Sequence, residues 1–215
     1  MTPSAFVERL GRVRATAILR TSLADAAAPA MEAAIRGGFR LVEFTLSVPK
    51  AIEQIEAFAR RDDLVVGAGT VLTTAEAKDA VRAGARFLVS PIVDEAIIDE
   101  ARALGVAMLP GCHTPTEMMR AHRAGATLQK LFPVPASGPD YVRACLGPMP
   151  FLKIVPTSGV DASNAAAWLA AGCYAVGFVG SLFDPTALAQ GRFDLIEERA
   201  RQCVAAVGSG SKISQ

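Results

Sequence analysis

Short apolar runs begin near Ala15, Arg40, Val65, Arg86, Ala107, Thr127, Leu152 and Tyr174. The steps between them average about 23 residues, room for a strand, a loop, a helix of about ten residues and a return loop. Strands that alternate with helices in this way argue for parallel pairing through crossover helices. The punctuation agrees. Gly38, Gly84, Gly105, Gly125 and Gly172 each follow a helical pattern and precede the next apolar run, where glycine can turn left-handed at a helix end. Thr114-Pro115-Thr116-Glu117 reads as a capping box with Pro115 at the first helical position. Asp94 can cap a helix through Ala103, and Pro49 can open one through Arg61. The expected fold is α/β, a single (β/α)8 TIM barrel with an N-terminal helix over residues 1–207, with a flexible Gly-Ser-rich tail at 208–215. An open doubly wound sheet is the structural rival. It would carry a glycine-rich phosphate loop after its first strand, whereas here that strand runs into Arg20-Thr21-Ser22.

The composition excludes several classes. At 51% hydrophobic and 20% charged residues the chain is too apolar for a disordered polymer. Lys+Arg 22 against Asp+Glu 21 leaves a net charge of +1, so there is no basic excess to hold a nucleic acid. The four cysteines show no CxxC spacing, which fits free thiols in a reducing compartment. The two histidines, His113 and His122, have no clustered ligands around them, and no metal site is expected. Residues 165–183 carry no charge and could span a bilayer on length alone. Gly172, Gly177 and Gly180 interrupt them, however, and a short helix ending at Gly172 followed by a buried strand from Tyr174 explains them better. The charges at Glu8, Arg9, Arg12, Arg14 and Arg20 leave no room for an apolar signal core. A cytoplasmic enzyme without a membrane partner is expected.

Chemistry is expected where charges interrupt strands. In Leu41-Val42-Glu43-Phe44-Thr45-Leu46, alternation puts Val42, Phe44 and Leu46 on one face and turns Glu43 and Thr45 into the barrel. A carboxylate there is paired, hydrogen-bonded or functional; it suits a general acid/base of raised pKa. In Thr127-Leu128-Gln129-Lys130-Leu131-Phe132-Pro133, Lys130 stands near the end of an apolar strand. Burial and nearby cations lower the pKa of a lysine, and a neutral amine can attack a ketone to give a Schiff base. A structural ion pair between Glu43 and Lys130 is the bland alternative. Arg20, at the end of the first strand, can meet a carboxylate and help keep Lys130 neutral. Lys153 lies at the start of its strand, the stability end of a barrel, and reads as structural. Cys112 reads as a packed thiol, His113 as a residue of the mouth, and His122 as surface or packing.

The remaining strand ends carry small or polar residues. Gly67-Ala68-Gly69-Thr70, Ser90-Pro91 and Pro110-Gly111-Cys112-His113 bring backbone and hydroxyls close to a small ligand. Thr157-Ser158-Gly159 and Gly180-Ser181 follow the last two strands, where barrels often bind phosphate through backbone N–H groups. Asp161 and Asp184 would oppose an anion there unless their side chains cap helices.

Taken together, AILR at 17–20, VEFTLSVP at 42–49, VGAGTVL at 66–72, VSPIVDE at 89–95, LPGCHTPTE at 109–117, LQKLFP at 128–133, GPDYVRA at 138–144, VPTSGV at 155–160 and VGFVGS at 176–181 resemble the 2-keto-3-deoxy-6-phosphogluconate / 4-hydroxy-2-oxoglutarate aldolases. These are class I pyruvate aldolases on a (β/α)8 barrel. The resemblance implies that Lys130 is the Schiff-base lysine and Glu43 the proton-shuttling carboxylate. It implies that Arg20, Thr45, Thr70, Pro91 and Thr157 contact the keto-acid substrate, and that Ser158, Gly159, Gly180 and Ser181 hold its phosphate. It also implies a homotrimer that needs no metal or other cofactor and has a small keto acid as its partner. Two positions depart from common family patterns: Ser47 stands where several members have Arg, and PTSG replaces PTGG. The gluconate- and galactonate-derived phospho sugar acids and 4-hydroxy-2-oxoglutarate all remain open as substrates. Another phosphate-binding barrel, an isomerase or a phosphate-ester synthase, is the alternative enzyme, and a catalytically silent barrel the alternative from another class.

Overall fold

The computed structural model describes residues 1–208. Helix α1 (Pro3–Val13) comes first, capped by the Thr2 side chain and closed by Arg14 at a left-handed φ of 56°. Strands and helices then alternate: β1 (Ala15–Leu19), α2 (Ala24–Arg36), β2 (Leu41–Thr45), α3 (Ala51–Ala59), β3 (Val65–Gly69), α4 (Thr74–Arg82), β4 (Phe87–Val89), α5 (Glu95–Ala103) and β5 (Ala107–Leu109). After Pro110 come β6 (Gly111–Cys112), α6 (Pro115–Arg123), β7 (Gln129–Leu131), α7 (Pro139–Leu146), β8 (Ile154–Pro156), α8 (Ala165–Ala170), β9 (Val176–Phe178), α9 (Pro185–Ala189) and α10 (Phe193–Gly208). Gly208, assigned above to the tail, is thus the last residue of α10; the rest of that segment lies outside the described residues.

The strands pair in parallel in two sheets, one in the order β5-β4-β3-β2-β1-β9 and one in the order β6-β7-β8. Together they form an α/β fold with a curled parallel sheet. Pro110 has no N–H to give to a ladder, so the fifth apolar run divides into β5 and β6. A parallel bridge between Thr157 and Gly177 links the end of β8 to β9. Strands β2 and β4 start one residue later than their apolar runs, leaving Arg40 and Arg86 exposed, and β7, β8 and β9 start two residues later than theirs. Helix α3 likewise begins at Ala51 and not at Pro49, since Lys50 takes a left-handed φ of 57°. The two expected caps are present. Asp94 accepts from the N–H groups of Ala96 and Ile97, and Thr114 and Glu117 satisfy each other's backbone reciprocally.

Strand alternation splits the apolar core in two. Ala17, Leu19, Val42, Phe44, Val66, Leu88 and Leu131 pack against the surrounding helices. The opposite face carries Leu41, Val65, Phe87, Ala107, Leu128, Val155 and Ala175, and α1 closes it by packing Phe6 and Leu10 among them. Phe6 stacks on Phe87 with ring centroids 4.6 Å apart, a contact worth about 0.5–1.5 kcal/mol beyond its area. These residues fill the N-terminal end of the inner face. Two residues further along, β2, β7 and the end of β8 turn polar at Glu43, Lys130 and Thr157, β3 and β9 carry Gly67 and Gly177, and β4 and β5 stay apolar at Val89 and Leu109; the three polar positions mark the candidate site.

Candidate active site

Glu43 follows Leu41 on the inner face of β2, and Lys130 follows Leu128 on the inner face of β7. Both are buried, with exposures of 2% and 8%. Loss of water pushes the Glu43 carboxyl up to about 6, against the opposing pull of Lys130 and Arg20. Loss of water likewise lowers the pKa of the Lys130 ammonium; Glu43 resists this and Arg20 adds to it. Burial thus pushes both groups toward their neutral forms, the direction that favours an amine acting as a nucleophile. Glu43 Oε1 is buried without a hydrogen-bond partner, which a satisfied structural ion pair would not leave. Strand β3 makes room for it. A Cβ on Gly69 would stand 1.9 Å from that oxygen, so the carboxylate lies over a glycine. The Phe132 ring covers the amine, with its centroid 4.8 Å from Nζ.

Arg20 and Thr70 form one corner. Arg20 extends past β1, and its Nη2 donates to Thr70 Oγ1 at 2.7 Å. Thr70 holds a left-handed φ of 59°, uncommon for a β-branched residue and typical of functional loops. Thr45 is buried, and its hydroxyl shares a 2.9 Å hydrogen bond with Ser47. Pro91 is half-buried; its carbonyl oxygen lies 2.3 Å from where a Cβ on Gly111 would be. That close approach seats Pro91 beside β6, where Gly111 pairs with Lys130.

A guanidinium, an amine of lowered pKa and a carboxyl of raised pKa close enough to act on one another can bind a keto acid, condense with its ketone and move a proton beside it. Comparison with known proteins bears on that chemistry. The model of the family described as KDPG and KHG aldolase matches residues 7–198. The 2-dehydro-3-deoxy-6-phosphogalactonate aldolase of Escherichia coli (strain K12) is 35% identical over 170 residues, 78% of this chain and 83% of that protein. This chain belongs to the KDPG and KHG aldolase family. A KDPG aldolase from Legionella pneumophila, solved with pyruvate captured as a covalent carbinolamine intermediate, superposes with a TM-score of 0.83 at 28% identity, covering 96% of this chain and 98% of that one. A porous protein cage designed by fusing symmetric oligomeric domains gives a TM-score of 0.84 at 30% identity, over 94% of this chain and 74% of the cage chain.

In this aldolase-family chain the other residues singled out above lie at the ends of β8 and β9. Thr157 is buried, and its Oγ1 lacks a hydrogen-bond partner. Gly177 opposite makes space for it, since a Cβ there would meet Thr157 Cγ2 at 2.6 Å and Ile18 Cδ1 at 2.7 Å. Ser158 and Gly159 both take φ of 71° and are exposed. The Ser181 hydroxyl donates to the Val160 carbonyl at 2.6 Å, tying the two loops side by side. Gly180 and Ser181 line a cleft of about 350 Å³ with Asp161, Ser163 and Arg199. The two aspartates are committed elsewhere. Asp161 accepts from the backbone of Ser163 and Asn164, and Asp184 caps α9 through Ala187 and pairs with Arg199.

Among the described residues no group of three or more His, Cys, Asp and Glu side chains could hold a metal, and no helix is long and apolar enough to cross a membrane. Burial raises the Cys112 thiol to about 12, with Glu117 adding to the effect, which suits a packed thiol. Lys153 precedes β8 and gives its N–H to Gln129 Oε1 at 3.0 Å, at the apolar end. His122 is exposed beside Phe151, with centroids 4.8 Å apart. Sequence reasoning missed the approach of Glu43 to Gly69 and the cover of Phe132 over Lys130. A glycine on a strand facing a charged strand residue was the available signal for the first. For the second it was an aromatic two residues after the lysine, hence on the same face.

Proposed function

We propose that this chain is a class I aldolase, an aldehyde-lyase that cleaves a 2-keto-3-deoxy-6-phospho sugar acid, gluconate- or galactonate-derived, to pyruvate and glyceraldehyde 3-phosphate. 4-Hydroxy-2-oxoglutarate, giving pyruvate and glyoxylate, is a further substrate of the same chemistry. The observation that carries the proposal is the placement of Lys130 and Glu43 on one buried face, each pushed toward its neutral form.

The steps follow from that placement. The Lys130 nitrogen adds to the C2 ketone, and the carbinolamine loses water to give an iminium. Glu43, directly or through a water, takes the proton of the C4 hydroxyl as the C3–C4 bond breaks. The bonding electrons flow into the iminium and leave an enamine, and the aldehyde departs. Glu43 returns the proton to C3, and water hydrolyses the iminium to pyruvate and free Lys130. Arg20, braced by Thr70, is assigned to the substrate carboxylate. Thr45, Pro91 and Thr157 are assigned to the keto-acid portion; the unpartnered Thr157 hydroxyl supports this. Backbone N–H groups of Ser158, Gly159, Gly180 and Ser181 are assigned to the phosphate. Both gluconate and galactonate stereochemistry occur in the names of the family and its relative.

The proposal extends to the architecture. The run from β5 into β6 and the bridge from Thr157 to Gly177 support a complete (β/α)8 barrel over residues 1–207. A homotrimer is proposed on the family resemblance, and the cage built from oligomeric domains is compatible with self-assembly. A cytoplasmic location fits the four free, buried cysteines.

The test is covalent. Incubation with pyruvate and borohydride should add mass to the Lys130 peptide, and Lys130→Ala should abolish both adduct and cleavage. Glu43→Gln should slow turnover by about 10²-fold or more while leaving measurable trapping. A Lys130→Ala protein that still cleaves, or an adduct on another lysine, would refute the assignment.

A further inference from the structure

The loop after β7 touches both ends of the proposed site. Phe132 covers the Lys130 nitrogen, and Val134 Cγ2 lies 3.1 Å from where a Cβ on Gly159 would stand. Pro133 and Pro135 deprive this loop of two backbone donors, so its position depends on bonds from outside. His113 supplies one. Its Nδ1 lies 2.8 Å from the Pro133 carbonyl oxygen. A carbonyl has no hydrogen to give, so Nδ1 carries the proton and donates it. His113 is itself held on two sides. Its N–H donates to Glu117 Oε2 at 2.8 Å, and its carbonyl accepts from the Tyr141 hydroxyl at 2.5 Å. Tyr141 stands in α7, the helix into which the loop leads.

We propose that His113 is a positioning residue for the Lys130 amine, holding Phe132 over the nitrogen and Val134 against the Ser158–Gly159 loop through its bond to the Pro133 carbonyl. The proposal rests on Lys130 being the nucleophile. The groups that face Lys130 are Glu43 from β2, Arg20 from the end of β1 and the Phe132 ring. Those around the brace are Glu117 of α6 and Tyr141 of α7. The face of Phe132 attracts an ammonium, while its bulk excludes water. Lost hydration is the first cause of the lowered basicity of Lys130, so a loosened loop that admits water returns the amine toward its ordinary basicity.

The test uses the full chain and trace acetic anhydride, with acetylation of the Lys130 peptide followed by mass spectrometry as a function of pH. His113→Leu removes the donor; His113→Asn keeps an N–H near the place of Nδ1. The Lys130 labelling midpoint should rise by about half a pH unit or more in His113→Leu, which leaves about threefold less neutral amine below it. Pyruvate trapping should slow by a similar factor, and His113→Asn should restore both to within about twofold. A folded His113→Leu protein with an unchanged or lowered midpoint overturns the proposal. So does a His113→Asn protein shifted as far as His113→Leu, because ring packing would then be responsible. Should His113→Leu fail to fold, Tyr141→Phe cuts the other side of the brace; an upward shift supports the proposal and an unmoved midpoint overturns it. Labelling requires no turnover. A wild-type protein that never traps pyruvate would therefore sink the aldolase reading, while the midpoint comparison still decides the brace.

Discussion

Replacing Gly69 with alanine adds one methyl group at the end of β3, opposite Thr45. The new Cβ would lie 1.9 Å from Glu43 Oε1, 2.8 Å from Cδ and 3.1 Å from Cγ. Reaching an ordinary contact requires about 1.5 Å more room. Strand β3 is extended and paired on both edges, with β2 and with β4, so the carboxylate moves before the backbone does. Glu43 is buried at 2% exposure, and its Oε1 has no hydrogen bond to hold it in place. A displacement of about 1 Å at a reacting centre costs about 10²-fold in rate, so kcat for cleavage, followed as pyruvate release coupled to NADH oxidation, should fall by about that factor. Lys130 should still trap pyruvate under borohydride, because condensation does not require the aldol proton transfer. The fold should survive. Overpacking costs about 1–3 kcal/mol, and the reduced freedom of the unfolded chain offsets about 0.4–1 kcal/mol of it. At about 2–4 °C per kcal/mol for a chain of this size the thermal midpoint drops by no more than about 10 °C. A folded Gly69→Ala protein with wild-type kcat would show that the position of the Glu43 carboxylate does not govern the reaction.

Two further outcomes test the electrostatics and the loops. Burial holds the Glu43 carboxyl at about 6 against an ordinary 4.5, so the folded protein keeps a proton that the unfolded chain releases. The stability this group contributes is full below 4.5 and is lost as pH rises through about 6, a difference of about 2 kcal/mol. Glu43→Gln should therefore unfold at a higher temperature than wild type above about pH 7 and lose that advantage below about pH 4.5; equal thermal midpoints in alkaline buffer would contradict it. Ser158 holds a left-handed φ of 71°, which costs a non-glycine residue about 1 kcal/mol. Ser158→Gly should match or exceed wild-type stability and lower KM for the phosphorylated substrate while leaving KM for 4-hydroxy-2-oxoglutarate unchanged. Equal movement of both KM values would detach this loop from the phosphate.

The layering of the inner face explains what was legible in the amino-acid sequence. A charge two residues beyond a buried apolar residue on the same strand, as in Leu41-x-Glu43 and Leu128-x-Lys130, states which face it occupies and how far along the strand it lies, because strand periodicity is local. Helix ends were legible for the same reason: Gly38, Gly84, Gly105, Gly125 and Gly172 all take positive φ, and that requirement is set by immediate neighbours. The features that escaped join distant segments. Burial of Phe6 under Phe87 depends on α1 folding across the end of the sheet, which no periodicity within α1 reveals. The bond from His113 to Pro133 joins residues twenty apart in sequence through a ring nitrogen, and a loop histidine carries no mark of its partner. Gly69 looks like a turn residue until Glu43 is seen to occupy the volume its side chain would fill. Strand chemistry thus identifies the reacting groups, while the residues that hold them at working distance are recognised only once the strands lie side by side. For this reason Gly69 and His113, neither of which need touch the substrate, are the positions where small substitutions separate the proposed chemistry from the scaffold that supports it.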